Sequence, residues 1–158
     1  MKISTIFTAI IIFLSLMTTA LCQELNLDKV ADDRKFNNAY ELLKLEKNEK
    51  ALVSLHEYLE IFIRGNHRHE AYLAIAQIYF QRFEYQRAVK TYKTLYEEFS
   101  RDEKGIEGYF KAAICYKKMG YDSKAGEIFK EIIEYHPSSP WSRQSQLQLD
   151  IMKIISSK

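Results

Sequence analysis

One spacing, 37 residues, recurs through most of this 158-residue chain and constrains its fold more than any other feature. Ala51, Ala88 and Ala125 follow one another at this spacing. Four further columns keep the same spacing: Ala39, Ala76 and Ala113; Leu42, Tyr79 and Tyr116; Leu55, Tyr92 and Phe129; and Leu59, Tyr96 and Ile133. A fixed period of about 20–50 residues is the sequence signature of a protein built from stacked structural repeats.

Each repeat unit has the hydrophobic pattern of two helices joined by a turn. In the second unit, apolar residues recur every three or four positions from Tyr72 to Tyr79 and again from Ala88 to Phe99, as on one face of an α-helix. Gly120 suits the left-handed end of one helix, and the spacing of Ser100 and Glu103 predicts a capping box. The sequence therefore predicts a helix–turn–helix in each unit.

A further helix is predicted after the third unit. Ser139 and Pro140 form an N-cap followed by a proline in the first turn, and apolar residues recur from Trp141 to Ile155. End units of a repeat array usually differ from the others, because one of their faces meets solvent. We interpret this helix as a cap over the end of the array.

The columns resemble the tetratricopeptide repeat (TPR), which has an aromatic, a small residue and Tyr in its first helix and Ala, an aromatic and Pro in its second. The third unit carries this pattern most fully, with Tyr109, Ala113, Tyr116, Ala125, Phe129 and Pro137. The resemblance implies an all-α solenoid of three repeats with period 37 and a C-terminal capping helix. The predicted boundaries are a signal peptide at 1–22, a short linker at 23–32 and a TPR-like domain at 33–158, with repeats at about 33–66, 67–103 and 104–139 and the capping helix at about 140–156.

Each unit is three residues longer than the usual 34-residue TPR. Lengthened units that end in a phrase like EYHPSSPWSRQSQLQL are similar to those of a bacterial envelope subgroup, which includes the Tol-Pal-associated protein YbgF and the lipoprotein BamD. The resemblance implies a protein of the bacterial cell envelope. The coiled coil of YbgF and the additional repeats of BamD have no counterpart in this sequence.

Residues 1–22 have the layout of a secretory signal peptide, with Lys2 followed by an apolar stretch and then small and polar residues. Cleavage after Ala20 or after Cys22 is compatible with this layout. Two alternatives stay open: an uncleaved membrane anchor, and a bacterial lipoprotein signal in which Cys22 is lipidated. We expect a periplasmic protein, or alternatively an outer-membrane lipoprotein, that touches a membrane only through such an anchor.

The composition gives no reason to expect nucleic-acid binding, because 23 Lys and Arg residues oppose 21 Asp and Glu residues. We expect no enzymatic activity and no cofactor, since the chain lacks a phosphate-binding loop, a nucleophile elbow and a Cys-x-x-Cys motif.

The group that most resembles a metal site is His67, His69 and Glu70. Residues two apart on a helix diverge, however, so we expect a solvated helix start and no metal site. We expect Cys115 to be a buried thiol.

A stacked array of helix pairs forms a curved groove lined by the first helix of each unit. TPR grooves bind peptides, so the resemblance implies a peptide-binding face here. The predicted groove residues are Phe36, Tyr40, Leu43, Leu73, Gln77, Phe80, Phe110, Ile114 and Lys117. Packing of part of this face within the array is the alternative.

These features predict a non-enzymatic adaptor of the bacterial periplasm that binds an apolar or amphipathic peptide of a protein partner in an aromatic-lined groove. The alternative is a lipid-anchored outer-membrane subunit of a Tol-Pal-like or barrel-assembly-like complex. The oligomeric state is not predicted.

Overall fold

The computed structural model describes residues 27–157, and in this part of the chain all regular secondary structure is α-helical. The helices are α1 (27–44), α2 (Asn48–Ile61), α3 (Arg68–Gln81), α4 (Tyr85–Glu98), α5 (Glu103–Lys118), α6 (Asp122–Tyr135) and α7 (Pro140–Ser156). The predicted all-α fold is confirmed. The predicted signal peptide and Cys22 lie outside the described residues.

The helices stack in chain order as a TPR-like solenoid. From α2 to α7 each helix packs against the next one, and α5 also contacts α3 and α7. Helices α1, α3 and α5 are thus the first helices of units one to three, and α2, α4 and α6 are the second helices. Helix α7 takes the place of a first helix beyond unit three.

The same backbone turn joins the two helices of every unit. Glu46, Phe83 and Gly120 stand 37 residues apart and have φ values of 56°, 62° and 76°. The residue after each of them donates its N–H to the carbonyl oxygen five positions back, at 2.9 Å in all three units. This is the Schellman arrangement, which satisfies carbonyls at the end of the first helix. Only the third unit has the glycine that such a φ value favours.

Small side chains let the two helices of each unit approach closely. Two alanine columns are fully buried: Ala39, Ala76 and Ala113 in the first helices, and Ala51, Ala88 and Ala125 in the second. Larger buried side chains of the second helices, Leu55, Tyr92 and Phe129, fill the space beside them. The repeat columns of the sequence are therefore the core of the solenoid.

Arg68, at the start of α3, ties unit one to unit two. Its guanidinium is almost fully buried, forms an ion pair with the carboxylate of Glu98 in α4, and donates to the carbonyl oxygens of Leu59 and Phe62, at 2.7 and 3.0 Å. The hydrogen bond from Arg68 lowers the pKa of the Glu98 carboxyl group. One side chain thus connects α2, α3 and α4.

The chain is helical earlier than the sequence predicted, since residues 27–32 of the expected linker belong to α1. Asp32 is buried, and its carboxylate accepts hydrogen bonds from the Tyr58 hydroxyl and from the backbone N–H of Asn66, the latter at 2.7 Å. Burial, and then the hydrogen bond to Asp32, raise the pKa of Tyr58. These hydrogen bonds of Asp32 hold the early part of α1 against α2 and the segment that follows α2.

Two helix starts differ in how well the sequence predicted them. Ser139 caps α7 as expected, and its hydroxyl oxygen accepts from the backbone N–H of Trp141 at 3.2 Å. The cap of α5 is Asp102 and not Ser100, because the Asp102 carboxylate accepts from the N–H of Lys104 at 3.0 Å.

Between residues 27 and 157, no helix combines the length and the apolar character that a bilayer span needs.

Candidate protein-binding surface

Two of the nine predicted groove residues cannot line a groove, because they are buried between units. Phe36 stacks on the ring of His67, with 4.5 Å between ring centroids. Phe110 packs against Trp141 of α7 at 5.1 Å. Phe36 also packs against Tyr58 of its own unit at 5.7 Å. Both rings therefore lie in the core, and the prediction of Phe36 and Phe110 as ligand-facing residues is wrong.

The other seven predicted residues remain partly or fully accessible. Tyr40 and Gln77 are exposed. Half-buried apolar side chains, packed against the neighbouring cores, are Leu43, Leu73, Phe80 and Ile114. Lys117 donates from Nζ to the side-chain oxygen of Gln148 at 2.7 Å, across α5 and α7. We call these seven residues the inner face, and its most accessible aromatic ring is that of Tyr40.

The histidines near the start of α3 do not converge on one point. Nε2 of His67 lies 2.8 Å from the carboxylate of Asp33, and Nε2 of His69 lies 2.8 Å from that of Glu70. Within residues 27–157, no three His, Cys, Asp or Glu side chains group closely enough to hold a metal ion. Each histidine instead pairs with its own carboxylate.

Cys115 lies fully inside the array. Burial raises the pKa of its thiol to about 12. A thiolate is the reactive form of cysteine, so this side chain acts as a small apolar residue in the core.

A cleft of about 470 Å³ lies on the side of the solenoid formed by the second helices. Tyr72, Ile75 and Tyr79 of α3 form its floor, and α2 and α4 form its walls. Nε2 of His56 is 3.4 Å from the hydroxyl of Tyr79, and the guanidinium of Arg87 lies 5.6 Å from the centre of the Tyr79 ring. These contacts engage His56, Tyr79 and Arg87 with one another within the chain.

A second cleft, of about 610 Å³, lies between the first turns of α6 and the last turns of α7. Its floor contains Gly126, and Leu149 and Met152 of α7 form an apolar wall. A Cβ atom at Gly126 would be 3.8 Å from Leu149 and 3.9 Å from Met152, at ordinary van der Waals distance. We call this space the Gly126 cleft.

At the Gly126 cleft, unit three lacks an apolar side chain that units one and two have. Leu52 and Val89 occupy the same repeat position as Gly126, and both are buried in their cores. Gly126 is itself buried, and Leu149 and Met152 of α7 come within contact distance of the side where its Cβ would be. The same two side chains also line the cleft that opens beside it. Sequence reasoning missed this site, although the change from Leu and Val to Gly in one column was a visible signal.

Charged side chains surround the apolar floor of the Gly126 cleft. Three lysines, Lys117, Lys130 and Lys153, line it together with Asp122 and Glu127. Lysines with long flexible stems can pair with acidic groups of a partner at the edge of an apolar contact. The cleft thus combines an apolar floor with a modest excess of positive charge.

The family model of intraflagellar transport protein 56 matches residues 4–151, nearly the whole chain. The chain belongs to this family. No curated protein matches the chain.

Membership in this TPR-like family supports the predicted helical repeat and the general role of a protein–protein interaction scaffold. It does not support the proposed bacterial YbgF and BamD subgroup. The predicted periplasmic or outer-membrane location is wrong, because intraflagellar transport is a process of the eukaryotic cilium. Lipidation of Cys22 was tied to that location and has no support.

Proposed function

We propose that this chain is a non-catalytic scaffold of intraflagellar transport that holds an apolar or amphipathic segment of a partner protein in the Gly126 cleft. The family match supports the process, and the repeat fold supports binding as the activity. The observation that carries the choice of site is the cleft between α6 and α7, in which Leu149 and Met152 form an apolar wall beside Gly126, a position without a side chain.

The cleft would bind by burial of apolar surface. One or two apolar side chains of the partner fit against Leu149 and Met152, where they leave water. Acidic residues beside those anchors would meet Lys130 and Lys153 at the edge. Affinity then depends mainly on the apolar contact and falls only modestly as salt is added.

The test fills the cleft. Gly126→Leu restores the side chain that unit one has at this position, and we expect it to block the partner while the helices remain folded. Wild type and variant are each used to capture intraflagellar transport proteins from a ciliary extract, and thermal unfolding followed by circular dichroism checks the fold. If the folded Gly126→Leu variant captures as much partner as the wild type does, the cleft is not the binding site.

The inner face is a second candidate surface, favoured by the exposed ring of Tyr40. Tyr40→Ala changes this face at a distance from α6 and α7, so it also serves as a control for the cleft variant. If Tyr40→Ala abolishes capture and Gly126→Leu does not, the partner binds the inner face. The half-buried Phe80 would then be the next position to substitute.

A further inference from the structure

The charged residues of this chain are divided unevenly between the two edges of the solenoid. The turns inside the three units form one edge, which comprises residues 44–50, 81–87 and 118–124. We call these three segments the turn edge, and they contain seven Lys or Arg and four Asp or Glu residues. The turns between units, with the helix ends beside them, contain five basic and ten acidic residues, at 57–71, 94–108 and 131–145. The turn edge is therefore the basic side of the array.

The turn edge is continuous, because each turn lies beside the next one. Arg82 of the second turn forms an ion pair with Glu49 beside the first turn, at 2.8 Å. Phe83 of the second turn and Met119 of the third line the same surface hollow. The end of α7 extends the row, since Ile155 lines the Gly126 cleft together with residues of the third turn. All four segments thus face one side of the molecule.

Large apolar side chains are exposed along this basic edge. Leu45, Phe83 and Tyr121, one in each turn, are 61%, 77% and 47% exposed. Ile154 and Ile155 at the end of α7 are 61% and 68% exposed. Phe83 also has a φ of 62°, a left-handed conformation that is uncommon for a bulky residue. The chain thus keeps an apolar side chain in water at every turn.

Most basic side chains of the turn edge have no acidic partner within the chain. Arg87 pairs with Glu84 at 2.8 Å, as Arg82 does with Glu49. Within residues 27–157, four exposed lysines of this edge form no ion pair: Lys47, Lys50, Lys118 and Lys124. The ammonium group of Lys124 lies 5.3 Å from the centre of the Tyr121 ring, so a cation stands directly beside an exposed aromatic side chain.

A partner that fits this edge offers negative charge and an apolar phase side by side. The exposed apolar side chains belong to separate turns and do not line one groove, so a peptide would find no continuous apolar contact. A bilayer with anionic lipids meets both requirements over a broad surface. Its headgroups attract lysines, and the acyl region just beneath them accepts apolar side chains.

We propose that the turn edge binds the surface of a bilayer that contains anionic lipids, with the Phe83 ring inserted below the headgroups and the lysines paired with them. The binding is peripheral and weakens as salt is added, because exposed charges supply much of it. It does not depend on a protein partner in the Gly126 cleft.

The first experiment measures co-sedimentation of the full chain with vesicles. One set is pure phosphatidylcholine, and the other also contains phosphatidylserine, at about one part in four. The neutral vesicles measure any binding through the apolar segment 1–22, which needs no anionic lipid. We expect the wild type to bind the anionic vesicles more tightly. Equal binding to both sets would overturn the proposal.

The second experiment locates the binding surface by charge reversal. Lys50→Glu with Lys124→Glu changes the turn edge, and Arg64→Glu with Lys104→Glu makes the same change of charge on the opposite edge. Each basic residue close to an anionic membrane strengthens binding about fivefold, so we expect the first pair to bind roughly 25-fold more weakly and the second pair to bind nearly as the wild type does. Equal losses in the two pairs, with circular dichroism unchanged, would contradict a role of the turn edge.

The third experiment separates a membrane from an acidic protein. Phe83→Trp is mixed with anionic vesicles whose acyl chains carry bromine, alongside Tyr135→Trp, which changes a ring on the opposite edge that is 65% exposed. We expect bromine to quench the added fluorescence of Phe83→Trp only, above the constant signal of Trp141. Soluble poly-glutamate is the second probe. If the wild type binds poly-glutamate but not the vesicles, the turn edge is a site for an acidic protein and the membrane proposal is wrong.

Discussion

The left-handed turn between the two helices of each unit offers a test of the repeat at single positions. Glu46, Phe83 and Gly120 have the same φ region and the same hydrogen bonds, but only one of them is glycine. We predict that Gly120→Ala destabilises the chain and that Glu46→Gly stabilises it. Gly120→Ala removes glycine from the left-handed position of the turn, and Glu46→Gly introduces it at the equivalent position. Each variant is therefore the reference for the other.

The magnitude follows from the surroundings of these residues. A Cβ atom at Gly120 meets nothing within 4 Å, so Gly120→Ala creates no clash and only the backbone conformation counts. The left-handed conformation costs a non-glycine residue about 1–2 kcal/mol. Alanine recovers about 0.4–1 kcal/mol because it restricts the unfolded chain. The net loss for Gly120→Ala is therefore about 0–1.6 kcal/mol, centred near about 0.8 kcal/mol, and Glu46→Gly should gain a similar amount.

Urea unfolding followed by circular dichroism measures both changes. We expect the midpoint to shift down for Gly120→Ala and up for Glu46→Gly, with the dependence of the free energy of unfolding on urea unchanged. Phe83→Gly should gain less than Glu46→Gly, because it also removes an edge contact between Phe83 and Tyr85. A stabilising Gly120→Ala, or a destabilising Glu46→Gly, would refute the assignment of this turn.

Three further predictions concern the core. Arg68→Met should lower the free energy of unfolding by about 2–4 kcal/mol in urea titration, because it leaves Glu98 and two carbonyl oxygens without their buried donor. A loss below about 0.5 kcal/mol would argue against this role of Arg68. Glu98→Gln should destabilise the chain at neutral pH, and the difference should shrink below about pH 4.5, because the folded-state pKa of Glu98 is lowered and its stabilisation is lost as the wild-type carboxylate gains a proton. In Cys22→Ser, Cys115 should react with a thiol reagent only as fast as the protein opens, so added urea accelerates labelling; rapid labelling of the folded protein would show that the thiol is accessible.

The fold was predictable because the residues that form its core recur every 37 positions in the sequence. The alanines at 51, 88 and 125 that revealed the 37-residue spacing are buried at every repeat. The early start of α1 was not predictable, since it depends on a hydrogen bond between Asp32 and Tyr58, which lie in different helices. The cap at Asp102 was missed for a local reason, because the capping-box spacing favoured Ser100.

The binding surface was less predictable than the fold. Phe36 and Phe110 lie on first helices as expected, but the rings of His67 and Trp141 pack on them, and the pattern of one helix does not show which of its faces a neighbour covers. The clefts depend on side chains that are missing or small. The column of Leu52, Val89 and Gly126 showed that unit three differs at this position, but only the packing of α7 shows that Leu149 and Met152 lie beside Gly126 and line a cleft there.

The cellular location was predicted wrongly because it was inferred from unit length and from the apolar segment 1–22. The length of a 37-residue unit is set by the lengths of its two helices and their turns. These lengths do not depend on the cellular compartment in which the protein works. The family match, residues 4–151, includes most of segment 1–22, whose role as a signal peptide stays a prediction. Fold alone does not determine where a repeat protein works.

The central claim is that this chain holds a partner of intraflagellar transport at the Gly126 cleft. The most direct measurement introduces a photo-crosslinking amino acid at Lys130, on the edge of the cleft, and at Lys47, away from it, in ciliated cells. The account predicts cross-links from position 130 to an intraflagellar transport protein, their loss when Gly126→Leu is added, and none from position 47. Cross-links at 130 that persist with Gly126→Leu, or a chain that does not enter the cilium, would contradict it.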